Sequence, residues 1–113
     1  MLRTAVFRVA AVVVLLAACD RSIAGGEADG ARIYAEACER CHGPSGTPDP
    51  GLRAQLGVKD LTEPELHQRL TDDDLRGQVR NGSVDKRMPA FGPEVLSDAQ
   101  VDALVHHIRS LRR

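Results

Sequence analysis

The 113-residue chain is poor in aromatic residues, with no tryptophan, one tyrosine and two phenylalanines. Phe7 lies in an apolar N-terminal stretch, so Tyr34 and Phe91 remain for the folded part of the chain. A chain of this length forms one small domain and not two. Two aromatic side chains give such a domain a thin core, because aromatic rings supply much of the apolar area that a core buries.

The sequence also lacks an internal repeat, a low-complexity tract and any polar-apolar alternation long enough for a strand. These absences argue against a repeat architecture and against a sheet. What remains is apolar spacing of three and four residues, which is typical of helices. We therefore predict an all-α fold, a small helical domain with loops.

A long apolar run, Val9 to Ala18, follows Arg3 and Arg8 near the N-terminus. A charged start followed by a short apolar segment is typical of a secretory signal peptide, and the run is too short to span a bilayer as a helix. The run ends in Leu16-Ala17-Ala18-Cys19, which resembles the lipobox of bacterial lipoproteins. That resemblance implies cleavage after residue 18 and a lipid on Cys19. The alternatives are an ordinary cleavage site and an uncleaved anchor.

Removal of residues 1–18 leaves a mildly acidic protein. Arg3 and Arg8 are two of the 15 basic residues, so 13 remain against 16 acidic residues, a formal net charge of −3. This balance argues against nucleic acid as a partner. Membrane association would then depend on acyl chains at Cys19 and not on a polybasic patch. Residues 19–29 are small and polar, which predicts a flexible tether with a reach of roughly 17 Å.

The run Cys38-Glu39-Arg40-Cys41-His42 is typical of the attachment site of a c-type haem, C-x-x-C-H. Residues three apart on a helix share a face, so both thiols can reach the vinyl groups of one porphyrin edge and form thioethers. His42 follows directly and can turn its imidazole onto the iron. A buried haem would supply the apolar body that two aromatic residues do not. We therefore expect the protein without haem to be poorly folded.

Two other uses of this motif fit the chain less well. A structural zinc site needs four ligands, but the chain has no second cysteine pair. A thioredoxin-type redox pair lies near a βαβ pattern, and no strand-rich segment is visible. The histidines that would have to complete a zinc site show no recognisable spacing: His67, His106 and His107.

The second axial ligand is predicted by elimination. Met1 and Met88 are the only methionines, and Met1 lies in the predicted signal peptide. Pro89 biases Met88 toward an extended backbone, and Pro89, Gly92 and Pro93 form a stiff loop that could hold one side chain over the ring. A His/Met pair raises the reduction potential and leaves no open position on iron, which suits electron transfer. Met88 could instead be a core filler. Three histidines are the other candidates for this position: His67, His106 and His107.

The segment from His42 to Gly57 is rich in glycine and proline, which predicts a loop around the proximal side of the haem. A haem histidine usually donates its second ring N–H to a backbone carbonyl. Pro48 and Pro50 are the candidates to offer that carbonyl to His42.

Periodicity and capping residues predict four helices, which begin and end near these residues: Gly30 and Cys41, Glu63 and Leu70, Thr71 and Asn81, and Ser97 and Leu111. Pro64 is tolerated in the first turn of the second helix. Ser97 and Gln100 form a capping box at the start of the last helix. Three aspartates after Thr71 and the arginines near the C-terminus are interpreted as compensation of helix dipoles and not as docking patches.

With these features in place, residues from about Gly30 to Leu111 resemble a class I monohaem cytochrome c of the bacterial electron-carrier kind. In that family the first and last helices cross near the glycine and the aromatic of the first helix, often against an aromatic of the last. His107 holds that last place here, so we expect a less tightly packed crossing. The matching residues are Gly30, Tyr34, Cys38, Cys41, His42, Gly43, Asp60-Leu61-Thr62, Asn81-Gly82, Met88-Pro89-Ala90-Phe91 and Leu96 through Leu111.

The resemblance implies one haem c per chain and one-electron transfer between ferric and ferrous iron, with redox proteins as donors and acceptors. The haem-binding residues would be Cys38, Cys41, His42 and Met88, the last two as iron ligands. Residues 1–18, 19–29 and 30–113 would be a signal peptide, a lipidated tether and a cytochrome c domain on the periplasmic side of the cytoplasmic membrane. Two other functions stay open: a haem relay subunit of a membrane oxidase or dehydrogenase, and a haem enzyme or gas sensor with a displaceable methionine.

Overall fold

The computed structural model describes residues 26–113; the predicted signal peptide, Cys19 and most of the tether lie outside the described residues. Within this range the chain is helical and has no strand, so the predicted all-α fold is confirmed there. No helix within residues 26–113 is long and apolar enough to cross a membrane. Six helices follow in order: α1 Gly30–Ala37, α2 Glu39–His42, α3 Pro50–Leu56, α4 Pro64–Arg69, α5 Asp72–Asn81 and α6 Asp98–Ser110.

The centre of the fold is the crossing of α1 and α6. The Ser97 hydroxyl accepts a hydrogen bond from the N–H of Gln100, and the Gln100 side chain accepts one from the N–H of Ser97, as the predicted capping box requires. The buried core that α6 shares with the other helices consists of Ile33, Tyr34, Leu61, Leu66, Leu75, Val79, Leu96, Val101, Leu104, Val105 and Ile108. Tyr34 is the single aromatic residue in that buried set, so the core is as thin as the composition predicts.

The two crossing helices approach each other closely at Gly30. A Cβ atom on Gly30 would overlap the carbonyl oxygen of Ala103 and lie 2.6 Å from its carbonyl carbon. Close to this point the Tyr34 and His107 rings pack with their centroids 5.1 Å apart. His107 therefore takes the place expected of it, and at the glycine the two helices pack backbone against backbone.

The first predicted helix is divided in two at Cys38, so the prediction of one helix from Gly30 to Cys41 is wrong. Cys38 adopts φ −121° and ψ −35°, which ends α1 although its N–H still bonds to the Tyr34 carbonyl. Its own carbonyl then begins α2 by accepting the N–H groups of Cys41 and His42 at 3.1 and 2.9 Å. Because the apolar spacing continues across this break, the sequence pattern does not indicate it.

The prediction of a continuous loop from His42 to Gly57 is wrong over residues 50–56, which form α3. Pro50 occupies the first turn, where its missing N–H costs nothing. The Asp49 carboxylate caps the helix by accepting the N–H groups of Gly51 and Leu52 at 2.9 and 3.2 Å. Gly57 ends it in the left-handed conformation. Each of these residues is a helix signal as well as a turn signal, and their order along the chain decides between the two.

The remaining helices agree with the prediction. Pro64 lies in the first turn of α4, and the capping box of α5 joins Thr71 and Asp74. In the described chain three ion pairs join α5 to α6: Arg76 with Asp102, Arg80 with Asp98, and Asp72 with Arg109. The aspartates of the α5 first turn also have partners in the fold, since Asp72 pairs with Arg109, Asp73 with Arg76 and Asp74 with Thr71. Their interpretation as structural residues is thereby supported.

Candidate functional site

The two motif cysteines lie on one helical turn. Cys38 is the residue that precedes α2, and Cys41 follows within it. Neither forms a disulfide within the described residues, and both side chains are half-buried. Burial, together with the neighbouring Cys41, raises the pKa of the Cys38 thiol to about 11. The turn is tied back to α1, because the Tyr34 hydroxyl donates a hydrogen bond to the carbonyl of Gly43 at 2.6 Å.

His42 ends the same turn, and its ring is oriented by a backbone carbonyl. Nδ1 donates to the carbonyl oxygen of Lys59 at 3.0 Å, which leaves Nε2 as the nitrogen available for a metal. The prediction that Pro48 or Pro50 supplies this carbonyl is therefore wrong. The partner lies 17 residues along the chain, beyond α3, and a backbone carbonyl carries no signature in the sequence. Burial lowers the pKa of His42, which favours the neutral imidazole that ligates iron.

The Lys59 carbonyl is itself held by the residue that follows it. Asp60 is buried, and its Oδ1 accepts the backbone N–H and the hydroxyl of Thr62 at 2.9 and 2.6 Å. Arg113 reaches the same segment from the C-terminal end of the described chain, donating to the Thr62 hydroxyl at 2.8 Å and to Asp60 at 3.4 Å. The segment that orients His42 is thus fixed by hydrogen bonds and not by apolar packing alone.

Met88 lies in the loop between α5 and α6, and both its N–H and its carbonyl are hydrogen-bonded. The Met88 N–H donates to the Ser83 hydroxyl at 2.9 Å, and the Met88 carbonyl accepts the Ser83 N–H at 3.1 Å. Gly82 has φ +67°, and a Cβ there would overlap the Met88 carbonyl oxygen, so only glycine allows this approach. The Met88 sulfur is 3.5 Å from the side-chain nitrogen of Gln78. In the described residues no hydrogen bond joins Met88 to α2.

The loop of Met88 is also braced at its flanks. The Phe91 N–H donates to the carbonyl of Val79 at 2.9 Å, and Arg80 donates to the carbonyls of Phe91 and Leu96. On the other side, the Arg87 guanidinium reaches the carbonyl of Gln55 on α3 at 3.4 Å. The stiff loop that the prolines predict is held in place by arginines, whose role the sequence does not signal.

The other histidines are engaged elsewhere or lie on α6. His67 is buried, donates from Nε2 to the Leu61 carbonyl at 2.7 Å and accepts at Nδ1 from Arg109 at 3.2 Å. Both of its ring nitrogens are therefore in use. His107 packs on Tyr34, and His106 is exposed on α6. Within residues 26–113 no group of three or more His, Cys, Asp and Glu side chains is arranged to hold a metal ion, so the zinc alternative gains no support.

The donor set fits a haem c. Two thiols on one turn are groups that can form thioethers with porphyrin vinyls. An imidazole with a fixed Nδ1 and a thioether on a braced loop are groups that can ligate haem iron. Large apolar side chains left uncovered by protein in the described chain are Leu56 on α3, 37% exposed, and Val84 in the Met88 loop. Bound haem c supplies an iron that cycles between ferric and ferrous states, and Cys38, Cys41, His42 and Met88 are the residues that would hold it.

Comparison with known proteins agrees with this chemistry. The family model described as "Cytochrome C oxidase, cbb3-type, subunit III" matches residues 25–108. Among solved structures, the chain is similar to the KustC0563 c-type cytochrome, with a TM-score of 0.67 and 29% sequence identity over 75% of this chain and 99% of that chain. No curated protein matches the chain. The chain therefore belongs to the cytochrome c family that this model describes, and it is a monohaem c-type cytochrome that carries haem c and transfers electrons.

Proposed function

We propose that this cytochrome is a one-electron carrier in which His42 and Met88 are the axial ligands of the iron and Cys38 and Cys41 hold the porphyrin covalently. The single observation that carries this proposal is the orientation of His42, whose Nδ1 donates to Lys59 and whose Nε2 is left for iron. A ligand fixed in this way changes little between two oxidation states, and a site that reorganises little suits electron transfer.

The assignment of Met88 as the second ligand rests on availability and on backbone placement. Outside the predicted signal peptide Met88 is the only methionine. Its loop is held by Ser83 and Gly82, which leaves the thioether as the mobile part of the residue. The competing His67 would have to break hydrogen bonds to Leu61 and Arg109 before it could bind iron. The Met88 sulfur has a weak contact with Gln78, which uses one lone pair and leaves the other for iron.

A potentiometric titration with carbon monoxide binding tests the carrier function against a haem enzyme or gas sensor. A carrier with two protein ligands gives a reversible one-electron titration, and the reduced protein binds carbon monoxide slowly, because Met88 must leave first. The matched variant Met88→Ala opens that position and is expected to bind carbon monoxide at least tenfold faster. Rapid binding by the native protein, equal to that of the variant, would show a displaceable or absent methionine and would favour the sensor.

Residues 1–18 and Cys19 lead us to place the domain on a lipid tether at the periplasmic side of the cytoplasmic membrane. The support is the sequence of that segment, a charged start, a short apolar run and a cysteine after two alanines. The acyl chains would hold the domain, and residues 20–29 would let it move within roughly 17 Å of the surface. Cys19→Ser should move the haem protein from the membrane fraction to the soluble periplasmic fraction. A Cys19→Ser protein that stays with the membrane would contradict the lipid anchor.

A second function is favoured by the family description, which names a subunit of an oxidase. In that case the haem is a relay inside a larger complex, and the redox partners are permanent neighbours. Gentle detergent extraction separates the two functions. Co-purification of the cytochrome with a membrane oxidase or dehydrogenase in a fixed ratio supports the relay, whereas elution as a lone lipoprotein supports the carrier.

A further inference from the structure

The side chain of Gln78 on α5 joins the end of that helix to the sulfur of Met88. Its amide nitrogen Nε2 lies 3.1 Å from the carbonyl oxygen of Gly82 and 3.5 Å from Met88 Sδ. A primary amide nitrogen carries two N–H donors, and a thioether sulfur is a weak acceptor. One nitrogen can therefore serve both contacts. We infer that Gln78 is a positioning residue for the iron ligand: it orients the Met88 thioether and raises the reduction potential of the iron by donating to the sulfur. This inference rests on the proposed ligation by Met88.

The position of Gln78 on the helix explains why its side chain meets the Met88 loop. Leu75 and Val79 are the buried residues of α5 and face the core. Successive residues are about 100° apart around a helix, so Gln78 and Arg80 lie on opposite flanks of Val79. Arg80 pairs with Asp98 at the start of α6. Gln78 therefore occupies the flank that does not face α6, and within residues 26–113 its side chain donates to Gly82 and Met88.

The backbone of Met88 does not depend on Gln78. Ser83 holds both the N–H and the carbonyl of Met88, and Phe91 is fastened to the Val79 carbonyl. Among the described residues, Gln78 adds the polar contact of the sulfur atom. Loss of Gln78 and loss of Ser83 are thus different perturbations of the same loop, since one acts at the sulfur and the other at the peptide.

The direction of the effect follows from the charge of the iron. A sulfur that accepts an N–H gives less electron density to iron, and the positive end of the N–H dipole lies nearest the more positive ferric state. Both effects destabilise ferric relative to ferrous iron. An intramolecular hydrogen bond contributes a modest net free energy, and one to sulfur lies at the weak end of the range. This free energy corresponds to roughly a two- to fivefold change in the ferric-to-ferrous ratio at a fixed ambient potential. An amide does not titrate, so this contribution does not vary with pH.

The test compares three variants of the full-length haem-loaded protein. Gln78→Leu removes the donor, Gln68→Leu makes the same chemical change on the exposed face of α4, and Ser83→Ala loosens the Met88 loop without touching the sulfur. Each is measured by potentiometric titration and by the red-region absorption that marks methionine sulfur on ferric iron. We expect Gln78→Leu to lower the reduction potential by the equivalent of roughly a two- to fivefold change in the ferric-to-ferrous ratio. The methionine-to-iron band should be retained but shifted. Gln68→Leu should match the native protein.

Two results would overturn the role of Gln78 alone. One is a Gln78→Leu protein that keeps the methionine band and the native potential. The other is a Ser83→Ala protein that lowers the potential as much as Gln78→Leu does, because loop stiffness would then explain the shift. Absence of the band from the native protein would instead remove the ligation by Met88 on which the inference rests, so the two failures are distinguishable.

Discussion

At the scale of single residues, Gly30 carries the strictest requirement in the helix crossing. A methyl group there meets the carbonyl oxygen and carbon of Ala103, which are backbone atoms and cannot rotate away. We predict that Gly30→Ala forces α1 and α6 apart and lowers the free energy of unfolding by about 1–3 kcal/mol. Denaturant unfolding of the haem-loaded protein measures this loss.

Gly77 provides the matched control for Gly30. It lies inside α5, and nothing is within 4 Å of the Cβ it would carry. Gly77→Ala should therefore raise the free energy of unfolding by about 0.5–1 kcal/mol through helix propensity. If both variants changed stability in the same direction and by the same amount, the close approach at Gly30 would not be the cause.

Candidate haem-binding residues are predictable from the sequence where a residue type is rare or stands in a recognisable motif. Cys38, Cys41 and His42 follow one another in a motif, and Met88 is left by elimination. The partner of His42 was not predictable, because the Lys59 carbonyl is a backbone group brought near by the path of the chain after α3. Pro48 and Pro50 are closer to His42 in sequence, but closeness in sequence does not identify the carbonyl that His42 contacts.

At the scale of elements, the segment from Lys59 to Thr62 links the haem histidine to the C-terminal end of the described chain. Burial alone would raise the pKa of Asp60, but hydrogen bonds from Thr62 and the charges of Arg113 and Arg53 outweigh it and hold the pKa below its usual value. A carboxylate with a lowered folded-state pKa adds stability above its unfolded pKa of about 4, and that stability is lost as the pH falls through the folded value.

This linkage predicts the acid behaviour of Asp60→Asn. The native protein should lose stability as the pH falls below about 4, and the difference in unfolding free energy between native and Asp60→Asn should shrink over the same window. The other titratable groups are the same in both proteins, so the difference reports Asp60. Denaturant midpoints from pH 7 to pH 2.5 measure it. Parallel pH curves for the two proteins would contradict the prediction.

The ends of a helix are predictable from the sequence where its capping residues lie within one turn of the end. The ends of α4, α5 and α6 follow from Pro64, Thr71, Gly82 and Ser97, which act within one turn. The break at Cys38 does not follow from the sequence, because the apolar spacing continues through it. Helix α3 does not follow from composition, because Asp49, Pro50 and Gly57 are also turn residues and only their order along the chain indicates a helix.

At the scale of the whole molecule, the domain has little apolar mass of its own. Its buried hydrophobic residues include one aromatic, and Leu56 and Val84 are exposed in the described chain. We predict that residues 19–113 made in a cytoplasm without haem attachment unfold over a broad range of denaturant, with amide hydrogens that exchange within minutes, whereas the haem-loaded protein unfolds cooperatively. A cooperative, equally stable haem-free protein would contradict this.

The class of the molecule, small and all-helical, followed from the absence of strand patterns and from the helix caps. The joint placement of α2, α3 and the Met88 loop did not follow, because it depends on long-range contacts such as Arg87 with Gln55 and Arg113 with Thr62. Arginines with several exposed alternatives give no signal of which carbonyl they will bind. Such contacts join residues that are far apart in sequence, so no local sequence pattern predicts them.

The central claim is that Met88 completes a His/Met axial pair on a covalently bound haem. The most direct measurement is the absorption spectrum of the ferric protein in the red region, recorded for native protein and for Met88→Ala, with His67→Ala as a matched control. We predict the methionine-to-iron band in the native protein and in His67→Ala, and its loss in Met88→Ala. A native spectrum without that band, unchanged by Met88→Ala, would contradict the axial pair.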